Sequence, residues 1–196
     1  MNIKGYNFRF ADLIVLLFIV AIAAWRVMVG TGENTAMANF TPLGAMALFG
    51  GVYFTRIKSF AFPLLALWLS DIVLNRFFIG EWVLFYDGFL WVYGAFALMV
   101  LVGKWMQANK SVARFVGSSL AIVFIHWIVT DIGVWLSSPL YPLTLEGFIL
   151  CLIAAIPFEL NLLGGTLIYG SVMFGAFEWS KKHVPELQTN FESSRA

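Results

Sequence analysis

The chain has 196 residues, of which 61% are hydrophobic and 12% charged, and its formal net charge is +1. A soluble domain carries roughly 25% charged residues, so this composition excludes an ordinary water-soluble globular domain and predicts an all-α integral membrane protein. The largest basic cluster is the pair Lys181–Lys182, which argues against nucleic-acid binding. A single cysteine, Cys151, excludes an internal disulfide.

Six apolar segments are predicted to cross the membrane, because a helix needs roughly 20 apolar residues to span the hydrocarbon core. They fall at residues 12–30, 42–54, 60–79, 88–107, 112–136 and 157–177. The first resembles a signal peptide, but its candidate cleavage site at Ala36-Met37-Ala38 lies far beyond the apolar run, so we expect a retained helix. The second is short, and Thr41-Pro42 supplies its N-cap and first-turn proline.

The last apolar stretch, residues 145–179, is too long for one straight crossing. Pro157 is predicted to divide it into a short outer element, residues 145–156, and the sixth span. The six spans are expected to form a single transmembrane domain over residues 1–180, followed by a polar cytoplasmic tail over residues 181–196.

The positive charges indicate the direction of the spans. The loops at residues 31–41, 80–87 and 137–144 contain no lysine or arginine. The basic residues that flank the spans on the other side are Lys4, Arg9, Arg56, Lys58, Lys104, Lys110, Arg114, Lys181 and Lys182. They all fall on one side if both termini are cytoplasmic, which predicts a multi-pass inner-membrane protein with both ends inside.

Polar side chains within the spans are the strongest functional signal, because a charge near the bilayer centre costs roughly 2.5–3.5 kcal/mol on insertion scales. Most of them fall in the predicted outer half, and helical spacing places several on shared faces. We therefore predict an outward-facing pocket that binds a small solute with polar and apolar parts. The candidate ligand-binding residues are Asp71, Asn75, His126, Asp131, Glu159, Trp68, Tyr86, Trp91 and Trp127.

Structural roles compete with this interpretation. Arg26 and Arg76 either form a structural ion pair with Asp71 or extend toward the outer headgroups. The remaining polar residues are equally compatible with interior hydrogen bonds or with positions at helix ends, namely His126, Asp131 and Glu159. Cys151 is expected to be a small apolar filler.

Signatures of enzymes are absent from the sequence, which contains no HExxH, GxSxG or P-loop. We therefore expect no catalytic residue, no bound metal and no cofactor. Asp71 and Asp131 could in principle form an acid pair, but nothing in the sequence places them within bonding distance.

The sequence resembles a small bacterial membrane family of unknown function whose members are labelled as transport proteins. The resemblance covers most of residues 39–175. Its motifs are Asn39-Phe40-Thr41-Pro42-Leu43-Gly44-Ala45-Met46-Ala47-Leu48-Phe49-Gly50-Gly51, Leu69-Ser70-Asp71, Thr130-Asp131-Ile132-Gly133-Val134-Trp135-Leu136, Tyr141-Pro142, Ala155-Ile156-Pro157-Phe158 and Phe174-Gly175. The family is in turn similar to the substrate-binding S components of energy-coupling factor (ECF) vitamin transporters. That similarity implies an S-component-like six-helix bundle, uptake of a vitamin or metabolite, and an ECF-type energising module as partner.

Three positions depart from the family pattern. Asp131 stands where an asparagine is common, Glu159 where an aromatic residue is common, and Gly165 where an acid is common. If these positions read the ligand, this member binds a different solute. Cobalamin-binding relatives use an outer-loop cysteine, and with Cys151 as the only thiol a cobalamin ligand has no support in the sequence.

The leading hypothesis is a transport protein that binds a small organic solute from the outer side of the membrane. The second hypothesis is a non-transporting membrane assembly or scaffold subunit, and the third, weaker one is an intramembrane enzyme. Expected partners are membrane lipid, the solute and the energising module.

Overall fold

The fold is known from a computed structural model that describes residues 10–31 and 37–183, which form six helices and no strand. The helices are α1 (Phe10–Thr31), α2 (Leu43–Tyr53), α3 (Arg56–Phe78), α4 (Phe89–Met106), α5 (Val112–Ser137) and α6 (Leu145–His183). The last four are long and apolar enough to cross a membrane. By length and composition the chain is therefore a helical membrane protein, and the predicted all-α class is confirmed.

Large apolar side chains cover the outside of the long helices. Leu120 and Phe124 are exposed on α5, and Ile153 and Leu160 are exposed on α6. In water such a surface would drive aggregation, whereas in a bilayer it faces hydrocarbon. The exposed surface therefore agrees with a membrane location.

Helix α2 is the centre of the bundle, and all eleven of its residues are buried. It packs against α3, α4, α5 and α6. A helix of this length rises about 16 Å, roughly half of the hydrocarbon thickness. The segment predicted as the second span is thus a helix enclosed by protein that is too short to cross by itself.

Helix α6 is continuous over 39 residues with Pro157 inside it, whereas the sequence predicted a separate outer element and a sixth span. A proline removes only one backbone hydrogen bond of a helix. In an apolar surrounding, a full interruption would leave several more carbonyl and N–H groups unpaired, so the continuous helix is favoured.

Helix α1 has 22 residues, and its apolar part with described side chains, Ile19–Thr31, is shorter than a span. It packs against α3. Several residues used in the topology prediction lie outside the described part of the chain, namely Lys4, Arg9, Ala36 and the tail after His183.

The bundle has two chemically different ends. At the first, which we call the site end, α1, α3 and α5 finish and α2, α4 and α6 begin. At the second, the basic end, Lys110 lies 3.7 Å from Glu178 and Arg114 stacks on the Trp105 ring at 4.1 Å. Two of the described arginines, Arg26 and Arg76, lie toward the site end. The other described lysines and arginines lie at the basic end, namely Arg56, Lys58, Lys104, Lys110, Arg114, Lys181 and Lys182.

Helices α2 and α4 touch through their backbones at Gly51 and Gly103. A Cβ atom at Gly51 would lie 2.3 Å from the carbonyl oxygen of Val100, and one at Gly103 would lie 2.6 Å from that of Leu48. Small residues of this kind let helices approach closely in membrane proteins. The central position of α2 therefore depends on these two glycines.

Replacing Gly51 with alanine is expected to lower the unfolding free energy by about 2 kcal/mol, because the methyl group must displace α4 backbone. The thermal midpoint of the protein purified in mild detergent measures this effect. Gly117→Ala on α5 is the matched control, because its Cβ meets nothing within 4 Å. Equal midpoints for the two variants would contradict the backbone contact.

Candidate functional site

A cavity of about 210 Å³ lies at the site end, inside an otherwise apolar bundle. Six polar or charged residues from different parts of the chain line it, together with five apolar residues that include Phe96. The polar residues are Arg26, Asn39, Thr41, Tyr86, His126 and Thr130. Convergent polar groups on an apolar wall are typical of small-molecule sites.

An ion pair between Arg26 and Asp71 joins α1 to α3 beside the cavity. Arg26 Nη1 lies 2.5 Å from Asp71 Oδ1 and donates a further hydrogen bond of 2.7 Å to Ser70 Oγ. The hydroxyl of Tyr93 on α4 donates to Asp71 Oδ2 at 2.9 Å. Asp71 is only 3% exposed, so its charge is held by two protein groups, Arg26 and Tyr93, rather than by water. The structure thus contains the ion pair between Arg26 and Asp71 that the sequence suggested as a structural alternative to ligand binding.

The loop between α3 and α4 is attached to the same region. The Asn75 amide donates a hydrogen bond of 2.9 Å to the carbonyl oxygen of Val83, and Tyr86 from this loop lines the cavity. Burial raises the pKa of the Tyr86 hydroxyl, the carboxylate of Asp71 raises it further, and Arg26 lowers it. Tyr86 therefore stays protonated and can donate a hydrogen bond.

A second buried pair connects α5 to α6. His126 Nδ1 lies 2.8 Å from Glu159 Oε1, and both side chains are buried. Glu159 Oε2 is buried without a hydrogen-bond partner. A carboxylate at Nδ1 favours the tautomer that carries its proton there, which leaves Nε2 of the neutral ring as an acceptor. His126 lines the cavity, so it can offer this acceptor to a ligand.

Asp131 lies on α5 one turn beyond His126 and has a different neighbour. The thiol of Cys151 on α6 donates to Asp131 Oδ1 at 3.4 Å. Among the described residues no hydrogen bond joins Asp131 to Asp71, whose partners are Arg26 and Tyr93. Cys151 thus contributes a hydrogen bond and is more than an apolar filler.

Of the four aromatic residues predicted to contact a ligand, one lines the cavity and three do not. The ring of Trp91 covers Gly133, where a Cβ would lie 2.6 Å from it, and the indole of Trp127 donates to the Leu152 carbonyl at 2.9 Å. The indole nitrogen of Trp68 is buried without a hydrogen-bond partner. None of these three tryptophans lines the cavity, in contrast to Tyr86. Two of them connect neighbouring helices.

Arg76, predicted as a second structural ion-pair residue, donates to the carbonyl oxygen of Gly80 just beyond the end of its own helix. Within the described residues it has no salt bridge. Arg76 is exposed in the last turn of α3, where open carbonyl groups are the nearest acceptors. The ion pair with Asp71 therefore belongs to Arg26 alone.

The sequence did not single out Tyr93, Asn39 or Thr41 as site residues. Tyr93 lies in a continuous apolar span, and nothing in that pattern marks it as a hydrogen-bond donor. Asn39 has a positive φ of 67°, a conformation that asparagine tolerates better than most residues, and it starts the tight turn that leads into α2. Gly165 admits this turn, because a Cβ there would lie 2.8 Å from the Thr41 carbonyl oxygen.

The arrangement offers hydrogen-bond donors and acceptors, the Arg26–Asp71 ion pair and the buried His126–Glu159 hydrogen bond. Within the described ranges, no group of three histidine, cysteine or acidic residues could hold a metal ion. The geometry is suited to binding a small polar molecule.

Replacing Asp71 with asparagine is expected to lower the unfolding free energy by about 3 kcal/mol, because Arg26 loses its buried partner. The double variant Arg26→Met with Asp71→Leu should recover most of this loss, since it removes both charges. Thermal midpoints in detergent measure the cycle, and Arg76→Met is a control expected to stay close to wild type. An unchanged midpoint for the Asp71→Asn protein would refute the ion pair.

Comparison with known proteins gives a family without a known activity. No curated protein and no solved structure matches the chain. A family model described as a family of unknown function matches residues 7–187, which include all six helices and the cavity. The chain therefore belongs to this family of unknown function, DUF6580.

Proposed function

We propose that the protein binds a small organic solute in the cavity at the site end and takes part in its transport. In this proposal the site end faces outward and both termini are cytoplasmic. The membrane is the bacterial inner membrane, and six segments of the chain contribute to the crossing. The proposal includes an ECF-type energising module as partner, on the basis of the sequence motifs alone.

The cavity is the observation that carries the proposal. Its polar wall combines residues 100 positions apart in the chain, from Arg26 on α1 to His126 on α5. Burying polar groups in an apolar bundle is costly unless they are paired or serve a function. Part of this wall is already paired within the protein, and His126 Nε2 and the hydroxyl of Tyr86 are the groups best suited to a ligand.

The volume of the cavity limits the size of the solute that can bind. A volume of about 210 Å³ is below the roughly 300–1,000 Å³ that is typical of sites for drug-sized ligands. The proposal is therefore a metabolite smaller than most vitamins. A ligand as large as cobalamin would not fit without a rearrangement of the helices.

An assembly or scaffold subunit is the second candidate, and a specific observation favours it. The polar atoms of Asp71, Asn75 and Trp127 already form hydrogen bonds within the protein, as expected if they only hold the bundle together. The enzyme hypothesis has less support, because Asp71 and Asp131 bond to different partners.

A cavity-filling substitution separates these functions. Thr130→Trp introduces a large ring into the cavity, because Thr130 lines it and donates only to the His126 carbonyl within its own helix. We expect wild-type protein, purified in mild detergent, to retain or bind a small solute in native mass spectrometry. The Thr130→Trp protein should bind it at least about tenfold more weakly, a loss of roughly 1.4 kcal/mol.

Val134→Trp is the matched control, since Val134 is exposed one turn further along α5 and the added ring would face outward. Loss of binding in this variant as well would indicate a general packing defect. A wild-type protein that binds no solute and co-purifies with another membrane protein would favour the scaffold subunit and overturn the proposal.

A further inference from the structure

Acidic residues are in excess at the site end. The described residues there contain six carboxylates and two arginines, which are Arg26 and Arg76. The carboxylates are Asp71, Glu81, Asp87, Asp131, Glu146 and Glu159. By sequence, residues 32–42 between α1 and α2 contain one acid, Glu33, and no basic residue.

Membrane topology does not explain this excess. The positive-inside rule concerns lysine and arginine, and acidic residues contribute little to it. The rule accounts for few cations at an outward-facing end but not for many acids. A surface with one sign of charge raises the local concentration of oppositely charged solutes. The site end would therefore attract cations and repel anions.

Among the buried groups beside the cavity, negative charge is also in excess of positive charge. The charges of Arg26 and Asp71 cancel at 2.5 Å. What remains is His126 with two carboxylates, Glu159 and Asp131, all of them buried. Even a protonated imidazole balances only one of the two carboxylates. In a medium of low dielectric constant such a cluster favours one further positive charge, either a proton or the charged group of a ligand.

His126 is the member of this cluster that lines the cavity. Its Nδ1 atom is held by Glu159 at 2.8 Å, so Nε2 is the ring nitrogen left for a ligand. The negative charge of Glu159 makes Nε2 a stronger acceptor, as carboxylates do for histidines that bind metals. Phe96 also lines the cavity, and an aromatic ring is a second side chain that can contact a cation favourably.

We propose that the solute carries a primary ammonium group, which donates to Nε2 of His126 while Glu159 orients the ring and supplies the compensating charge. This proposal rests on the proposed function and specifies its ligand. His126 contacts the ligand, and Glu159 is a positioning residue. The described residues contain no group of three histidine, cysteine or acidic side chains that could hold a metal ion, so the proposal names an organic cation.

Two positive features border the same cavity, the Arg26 guanidinium and the N-terminus of α2 near Thr41. The first is neutralised by Asp71, and the second is worth only about half a charge. A solute that also carried a carboxylate could place it there. The ammonium group is common to a simple amine and to a zwitterion, and the experiment below separates the two.

The experiment uses the fact that the chain has two histidines. In a His183→Gln background, labelling histidine with ¹⁵N gives ring signals from His126 alone. The purified protein in mild detergent is titrated with propylammonium chloride, 1-propanol, sodium propionate, glycine and potassium chloride. We expect a saturable shift of the ring signals with propylammonium, and none with propionate or potassium chloride.

The variant Glu159→Gln keeps the shape and can still accept from Nδ1, but it removes the charge. It should weaken propylammonium binding by about tenfold or more, because the charge that strengthens the hydrogen bond is lost. Glu146→Gln, exposed at the same end, is the control that removes an acid away from the cavity and should bind normally. If the Glu159→Gln protein fails to fold, the probe series on the wild-type ring decides alone.

Three outcomes overturn the amine proposal. Equal shifts with propanol and propylammonium would show that charge plays no role, and a shift with propionate would identify an anion site. No shift with any probe would also overturn it, while the cavity-filling experiment judges solute binding separately. Tighter binding of glycine than of propylammonium would support the ammonium contact and add a carboxylate contact near Arg26.

Discussion

The enclosure of α2 is the constraint on which the rest of the structure depends. The length of this helix is about half the thickness of the hydrocarbon core. Longer helices surround it, so its first residue, Leu43, lies deep within the bundle. The turn before it reaches the middle of α6, where the Asn161 amide donates to the Ala38 carbonyl at 2.9 Å and Phe40 packs on Tyr169 at 5.7 Å. The cavity forms in the space beyond the N-terminal end of α2. A longer central helix would fill it with backbone.

The polar residues around this space form two layers with different roles. Arg26, Asp71 and Tyr93 tie three helices together, and their mutual bonds make them expensive to separate. His126 and Glu159 tie the other pair of helices but leave an unpartnered oxygen and one ring nitrogen. We therefore infer that Arg26, Asp71 and Tyr93 support the cavity wall. His126 and Glu159 are the pair that can respond to a ligand. The amine proposal follows from this division of roles.

Much of the fold could be predicted from the sequence, because apolar length and charge gaps reveal helices directly. The predicted spans agree with α3, α4 and α5 to within a few residues, except that α3 begins four residues earlier than its span. The role of α2 could not be predicted, since a buried helix and a short membrane span have the same apolar composition. The break predicted at Pro157 was also wrong, since α6 is continuous there. Whether a proline interrupts a helix depends on whether the backbone groups that an interruption would free can find other partners. For the site, helical spacing predicted Asp71, Asn75 and His126 as residues that face the bundle interior, and all three are buried. It could not reveal Tyr93 or the pairing of His126 with Glu159, because contacts between helices leave no periodic trace.

The length of α6 has a mechanical consequence for the surrounding lipid. Its 39 residues extend about 58 Å, nearly twice the hydrocarbon thickness, beside a central helix of about 16 Å. Such a mismatch is relieved by tilting, by bending at Pro157 or by thickening the bilayer nearby, each at a modest cost per ångström. The protein should therefore be sensitive to acyl-chain length. Glu159 lies two residues after the proline, so a change in membrane thickness that bends α6 would also move the carboxylate that holds His126.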